Sequence, residues 1–192
     1  MKVTLLRITG NPEGLIAESA RVCYASEAKT EGANAKLVKN LREWGHMSTF
    51  EHACATFMVE GVSRALTHQL VRHRIASYSQ QSQRYVNEQG FEYVTPATIE
   101  EKTKAKKVFD ECVEATRTAY NRLIELGVPR EDARFLLPNA CATKIVVTMN
   151  FRELRHFIKL RSDKGAQWEI KELAHEMLLL LKEKAPNAFE DL

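Results

Sequence analysis

Residues 144 to 149 read K-I-V-V-T-M, and this β-branched, apolar run restricts the fold more than any other segment. It argues a buried strand in a chain whose other long segments carry helical periodicity. Strands also fit residues 2 to 9, with Val3, Leu5, Leu6 and Ile8, and residues 53 to 60, A-C-A-T-F-M-V-E, closed by Gly61. Asn11-Pro12 turns the chain. Helices then follow over 13 to 25 and 34 to 44, the second ending at Gly45 in the C-cap role. Ser63 is placed to cap a helix running to about Arg74, with Val62, Leu66 and Leu70 four apart on its buried face. Arg64, His68 and Arg72 share a second face, and Gln69, Arg72 and His73 cluster near its end. Residues 75 to 87 lose the helical period and read as loop plus a short strand. The longest helix is predicted over 98 to 126, stopped by Gly127; Pro129 then opens a short one that ends before Pro138. Helices over about 151 to 162 and 166 to 184 follow, broken at Asp163-Lys164-Gly165. With no repeat, linker or low-complexity tract in 192 residues, one mixed α/β domain over 1 to 192 is expected.

The cysteines, Cys23, Cys54, Cys112 and Cys141, form no C-x-x-C pair and no dense framework. Buried free thiols in a reducing, cytoplasmic compartment are the expectation. The opening M-K-V-T-L-L-R-I carries Arg7 inside a run too short for a signal peptide. No window reaches the ~20 apolar residues that span a bilayer, so no membrane partner is expected.

Function concentrates in Val71 to Tyr85, V-R-H-R-I-A-S-Y-S-Q-Q-S-Q-R-Y. Between Glu60 and Glu88 there is no carboxylate, while Arg64, Arg72, Arg74 and Arg84 all fall inside. Guanidinium forks match phosphate oxygens bidentately, and Ser, Gln and Tyr add neutral donors and acceptors. The run reads as an anion site with its donors free for something outside the chain. A solvated basic face is the plain alternative, although such faces usually mix signs. A nucleic-acid groove reader built on 64 to 84 is another, as is a phosphate-binding module without chemistry; a net charge of +3 does not by itself argue for nucleic acid.

Other chemistries find less support. His68 and His73 are five apart, off a common helix face, and no H-E-x-x-H or Cys-His pairing occurs, so no metal site is expected. Ser82 could serve as a nucleophile only with a base in hydrogen-bond reach; donating to a phosphate is its quieter role. Asn150, Arg152, His156 and Arg161 form a late cluster, with Arg152 and His156 on one helix face, and Arg134 precedes them. Composition alone cannot unite these residues.

The spacing Arg72-His73-Arg74, seven residues, then Ser82 resembles the signature of the flavin-dependent thymidylate synthases. G-H-M-S-T-F-E-H at 45 to 52, G-V-P-R-E-D-A-R-F-L-L-P at 127 to 138, T-M-N-F-R-E-L-R-H-F-I-K-L-R at 148 to 161 and A-Q-W-E-I at 166 to 170 agree in order and spacing. The resemblance covers about residues 20 to 190. It implies an α+β fold, a small, largely antiparallel sheet flanked by helices, and a flavin site at subunit interfaces of a homotetramer. Without a G-x-G-x-x-G fingerprint, that flavin site is not a Rossmann one. The implied reaction makes dTMP from dUMP with FAD, NADPH and methylenetetrahydrofolate: a flavin hydride completes the methyl group on uracil C5, and no cysteine attacks the ring. The resemblance assigns Ser48, Arg72, His73, Arg74, Gln80, Asn150, Arg152 and His156 to FAD. It assigns Gln69, Leu70, Val71, Arg72, Gln80, Gln81, Ser82, Gln83 and Arg84 to the nucleotide, with Arg134 completing the phosphate cage. Arg161 falls beside the pyrimidine, where a fixed positive charge favours ring ionisation. Gln80 departs from the Glu that the family often carries, keeping hydrogen-bond geometry while losing charge and any proton-transfer role.

Overall fold

The computed structural model describes residues 1–26 and 32–192. In chain order these form β1 (Lys2–Ile8), α1 (Pro12–Val22), α2 (Ala33–Glu43), a 3-10 turn (Met47–His52), β2 (Cys54–Ser63), α3 (Arg64–Leu70) and β3 (Ser77–Gln80). Then come α4 (Ala97–Glu100), α5 (Thr103–Glu125), α6 (Arg130–Ala133), a second 3-10 turn (Arg134–Leu136), β4 (Ala142–Asn150), α7 (Phe151–Arg161), α8 (Trp168–Lys184) and α9 (Pro186–Phe189). The strands form a small open antiparallel sheet in the order β1-β2-β4-β3. A mixed helix and strand fold with a small antiparallel sheet is thus what the chain adopts. The backbone divides into two compact units, one of Met1–Val59, Gln69–Ser79 and Val146–Leu192, the other of Glu60–His68 and Gln80–Ile145.

The first unit is built on alternation. In β2, Ala55, Phe57 and Val59 are buried while Thr56 takes the other face, its hydroxyl sharing a 2.9 Å hydrogen bond with that of Thr148. Val147 and Met149 continue the buried face in β4. α8 packs on α7 and β1 and buries Leu173, Met177 and Leu181. Its N-terminus is capped by Gln167 Oε1, which accepts from the Glu169 and Ile170 N–H groups at 3.0 and 3.2 Å. Phe57, Phe151, Phe157 and Phe189 are fully buried, each stabilising by about 1.5–3 kcal/mol.

In the second unit Phe91, Val113 and Cys141 form a core, with Tyr93, Phe109 and Leu137 against it. Tyr93 adds an antiparallel bridge to Cys141. Ser63 caps α3 as expected, its Oγ accepting from the Leu66 N–H at 3.0 Å.

Among the boundaries that differ from the sequence expectation, three bear on the argument. β2 runs through Gly61 to Ser63, because Gly61 adopts φ +66°, a left-handed conformation that needs no Cβ, and the strand bends there without stopping. The long helix is two pieces: Lys102, at φ −115° and ψ 97°, is extended, so α5 starts afresh at Thr103. α3 stops at Leu70, four residues short of Arg74, which takes Arg72 off the helix face assigned to it with Arg64 and His68. The 3-10 turn at Met47–His52 and α9 carried no sequence signal strong enough to predict.

Candidate functional site

α3 ends early because distant side chains take its last carbonyls. Helix ends leave carbonyls that something must satisfy. Arg161 Nη2, at the end of α7, donates to the Gln69 carbonyl at 3.2 Å. The Tyr78 hydroxyl, on β3, lies 2.9 Å from the Leu70 carbonyl and 2.8 Å from that of His73. Burial pushes the Tyr78 phenol up to about 12, against the pull of nearby Arg161, so it remains a donor. The His73 N–H closes the turn onto Leu70 O at 3.1 Å. The helix therefore gives way to a tight turn that carries Arg72, His73 and Arg74.

His73 is buried at 7% exposure, edge-on to Phe157 at 4.9 Å and to His156 at 6.0 Å. Arg161 Nε donates to its Nε2 at 3.1 Å. Burial, then the charges of Arg161 and His156, push its pKa down from 6.5 to about 4. His73 is thus a neutral imidazole at physiological pH. Arg72, His73, Arg74 and Ile75 from the turn, and Glu153, His156, Leu160 and Arg161 from α7, line a cavity of about 300 Å³.

A second cavity of about 360 Å³ lies toward the start of α7. Ser48, from the 3-10 turn, and Arg152 line it with apolar Met47 and Leu41. Arg152 Nη1 also meets Glu51 Oε1 at 2.5 Å. Asn150 has a structural task, its Oδ1 capping α7 by accepting the Glu153 N–H at 2.9 Å. Apart from Asn150, the expected flavin contacts in this unit fall on two cavities along one helix, and Arg152 and His156 share its exposed face.

The remaining expected contacts lie in the second unit. Gln80 Nε2 donates to Thr67 Oγ1 at 3.0 Å, and lies 3.4 Å from Thr143 Oγ1. Because the Thr67 hydroxyl already donates to the Arg64 carbonyl at 2.9 Å, it needs a donor from position 80. An amide supplies one and a carboxylate does not. Arg64 Nη1 donates to the Gln81 carbonyl at 3.3 Å, and Gln83 is buried. Ser82 Oγ accepts the Arg84 N–H at 3.2 Å.

The acid-free run is met by acids from outside it. Glu131, on α6, takes Arg84 in a fork, 2.9 Å from Nη2 and 3.1 Å from Nε, and Arg134 Nε donates to the Glu131 carbonyl at 3.1 Å. Arg84 is therefore not free, as the run alone suggested. Buried Glu88 interacts with Arg64 and hydrogen-bonds Gln81; burial raises its pKa more than those contacts lower it. Burial also raises the Cys54 thiol and pushes that of Cys141 up to about 12, which leaves both unreactive. Sequence reasoning missed Tyr78, Phe157, Glu51 and Glu131. All four lie in segments quoted above, but nothing local to any of them shows the distant partner it meets.

Arg72, Arg74 and Arg161 gather with buried His73 along one cavity, and Arg152 lines a second on the same helix, donor groups whose chemistry suits anions. Residues 4–187 match the family described as thymidylate synthase complementing protein. A flavin-dependent thymidylate synthase of Geobacter sulfurreducens is 50% identical over 200 aligned residues, covering 100% of this chain and 86% of the relative. Those of Clostridium tetani and Pyrococcus furiosus are each 44% identical, covering 99% and 93% of this chain and 86% and 78% of themselves. The chain belongs to the flavin-dependent thymidylate synthase family, whose members are methyltransferase enzymes.

Proposed function

We propose that this chain makes dTMP from dUMP by reductive methylation, with FAD as its flavin, NADPH as reductant and methylenetetrahydrofolate as one-carbon donor. The observation that carries the reading is the turn after α3: the family signature residues Arg72, His73 and Arg74 line one cavity together with Arg161. The donor set fits a dinucleotide, since Arg72, Arg74 and Arg152 offer guanidiniums to a pyrophosphate while Ile75, Leu160 and Met47 offer apolar wall. FAD, when bound, supplies the hydride. Ser48, Arg72, His73, Arg74, Gln80, Arg152 and His156 hold it; Asn150, with Oδ1 engaged at the helix cap, contributes its amide N–H.

For dUMP, contacts are assigned to Gln69 through Arg72 in the first unit and to Gln80 through Arg84 in the second, and Arg134 joins Arg84 on the phosphate. Arg161 holds a positive charge beside the pyrimidine and stabilises its ionised form. Gln80 orients by hydrogen bonding and moves no proton. The single domain of residues 1 to 192 works in the cytoplasm as a homotetramer with sites shared between subunits, without nucleic acid or membrane. Among the described residues no helix is long and apolar enough to cross a membrane.

The first test is the visible spectrum of protein incubated with FAD and desalted. Retained flavin bands that NADPH bleaches, faster with dUMP present, are expected. Colourless protein that binds DNA with steep salt dependence would replace this reading with a nucleic-acid one. The phosphate assignment has its own test by calorimetry with dUMP. Arg84→Ala is expected to weaken binding by about 1.5–3 kcal/mol, a charged donor being lost. Glu131→Gln should act the other way, because an incoming phosphate must displace that carboxylate from Arg84. The pair is half exposed, 50% and 51%, so the gain is small, at most about fivefold. Unchanged affinity in Arg84→Ala would take Arg84 out of the site.

A further inference from the structure

We propose that His73 is the positioning residue for Arg161: as the neutral Nδ1–H tautomer, it accepts from Arg161 Nε and fixes the guanidinium at the cavity wall. The inference rests on the role given to Arg161 above and adds what sets its orientation. A guanidinium is a rigid planar fork, so two anchors on one edge determine where the rest points. Those anchors are His73 Nε2 at 3.1 Å and the Gln69 carbonyl at 3.2 Å, both on the turn that ends α3. They use two of the five N–H groups and leave three for a ligand.

The tautomer follows from the same bond. A neutral imidazole carries one N–H, and Nε2, as acceptor, cannot hold it. The proton sits on Nδ1, which makes His73 two-sided, with an acceptor toward Arg161 and a donor on the opposite nitrogen. Phe157, at 4.9 Å, walls the ring and limits its rotation. Protonation would set N–H against N–H and place a second charge beside Arg161. Every nearby cation opposes that: Arg161 and His156 from α7, Arg72 and Arg74 from the turn itself. Among the described residues Glu153 is the one carboxylate lining the cavity, while Tyr78 from β3 is a neutral phenol bonded to carbonyls.

The sign of the pH dependence is set by the lowered pKa. The unfolded chain takes up this proton near pH 6.5, the folded one only near 4. Stability from His73 is therefore complete above pH 6.5 and is lost as pH falls toward 4. Wild-type protein should lose melting temperature over this window more steeply than His73→Gln.

Glutamine and asparagine separate the two ring nitrogens. The Gln carbonyl reaches the Nε2 position and can accept from Arg161, whereas the Asn carbonyl reaches only the Nδ1 position. In the FAD-loaded enzyme, His73→Gln should retain more kcat/KM for dUMP than His73→Asn or His73→Ala. His73→Asn and His73→Ala should lose roughly 10- to 100-fold, the range expected when a hydrogen bond to a charged group is broken. In an Arg161→Ala background the His73 substitutions should cost almost nothing more, because residues acting as one unit are not additive. Equal activity of the Gln and Asn variants, or additive losses with Arg161→Ala, would overturn the inference. A second readout needs no ligand: imidazole 15N NMR at pH 6 should show His73 neutral, with its proton on Nδ1 and its Nε2 shift dependent on Arg161. An imidazolium or an Nε2–H tautomer there defeats the proposal, even in a fully active enzyme. Failure of wild-type protein to bind flavin or dUMP would instead remove the synthase reading, and the NMR result would still decide the His73–Arg161 bond.

Discussion

Replacing Arg161 with alanine is expected to lower kcat/KM for dUMP by about two to three orders of magnitude, the usual cost of removing one preorganised electrostatic group. The argument is geometric before it is electrostatic. Arg161 is held at the end of α7 by His73 Nε2 and the Gln69 carbonyl, so its charge is fixed before any ring arrives and needs no reorganisation. Flavin retention should survive, because Arg72, Arg74, Arg152 and Ser48 still line their cavities. Arg161→Lys is expected to fall between wild type and alanine: it keeps a charge but cannot anchor through two rigid N–H groups at once. Steady-state kinetics with the desalted flavoprotein, beside its melting temperature, make the check. An alanine variant within about fivefold of wild type would remove Arg161 from the chemistry. A variant that lost its flavin would make Arg161 a cofactor-site residue instead.

What could be read from the sequence was local. The run Lys144 to Met149 announced β4, the Ser63 hydroxyl announced the start of α3, and Gly127 announced the stop after α5, where φ is +83°. Each signal sits within a few residues of its effect. The signature at 72 to 82 could be picked out as a candidate site for the same reason, since the residue types and their spacing are contiguous. The end of α3 was not legible, because Arg161 and Tyr78, which cap its carbonyls, come from α7 and β3. Periodicity carried the helix on to Arg74 for want of any local stop. The freedom of Arg84 was misjudged on similar grounds. Counting acids between Glu60 and Glu88 says nothing about Glu131, which α6 brings to it. The late cluster shows the limit from the other side. Arg152, His156 and Arg161 look ordinary in sequence, yet α7 gives each a cavity to line. Asn150 was singled out as a ligand only through the resemblance, and its role as the cap of α7 emerged with the structure.

Arg155→Ala is expected to destabilise the protein by about 3 kcal/mol, because it removes a buried guanidinium's fork to Asp191, its bond to the Ala188 carbonyl and the packing of its stem. The buried side of α7 carries this residue, about a quarter turn round the helix from the face that presents Arg152 and His156. Arg155 is 5% exposed and forks onto Asp191, with Nη1 to Oδ1 at 2.7 Å and Nη2 to Oδ2 at 2.6 Å. It also donates to the Ala188 carbonyl at the end of α9 and lies 6.0 Å over the Phe50 ring. α7 is thereby tied to the C-terminal turn. Burial acts to raise the Asp191 carboxyl, but hydrogen bonding and charge from Arg155, with Arg42 beside it, hold it below its ordinary value of 3.8. A lowered carboxylate pKa stabilises above the unfolded value and is lost as pH falls through the folded one. Two results should follow in thermal melts. At neutral pH, Arg155→Ala should melt about 6–12 °C below wild type. Asp191→Asn should lose less, since Asn still accepts from the fork and Ala188 O remains bonded, and its deficit should shrink as the pH falls below 3.8, where the wild-type carboxyl takes up its proton. Equal melting of Arg155→Ala and wild type at neutral pH would show that the fork adds nothing to the frame of α7. Loss of flavin without loss of melting temperature would show that its contribution is to the outer face of the helix.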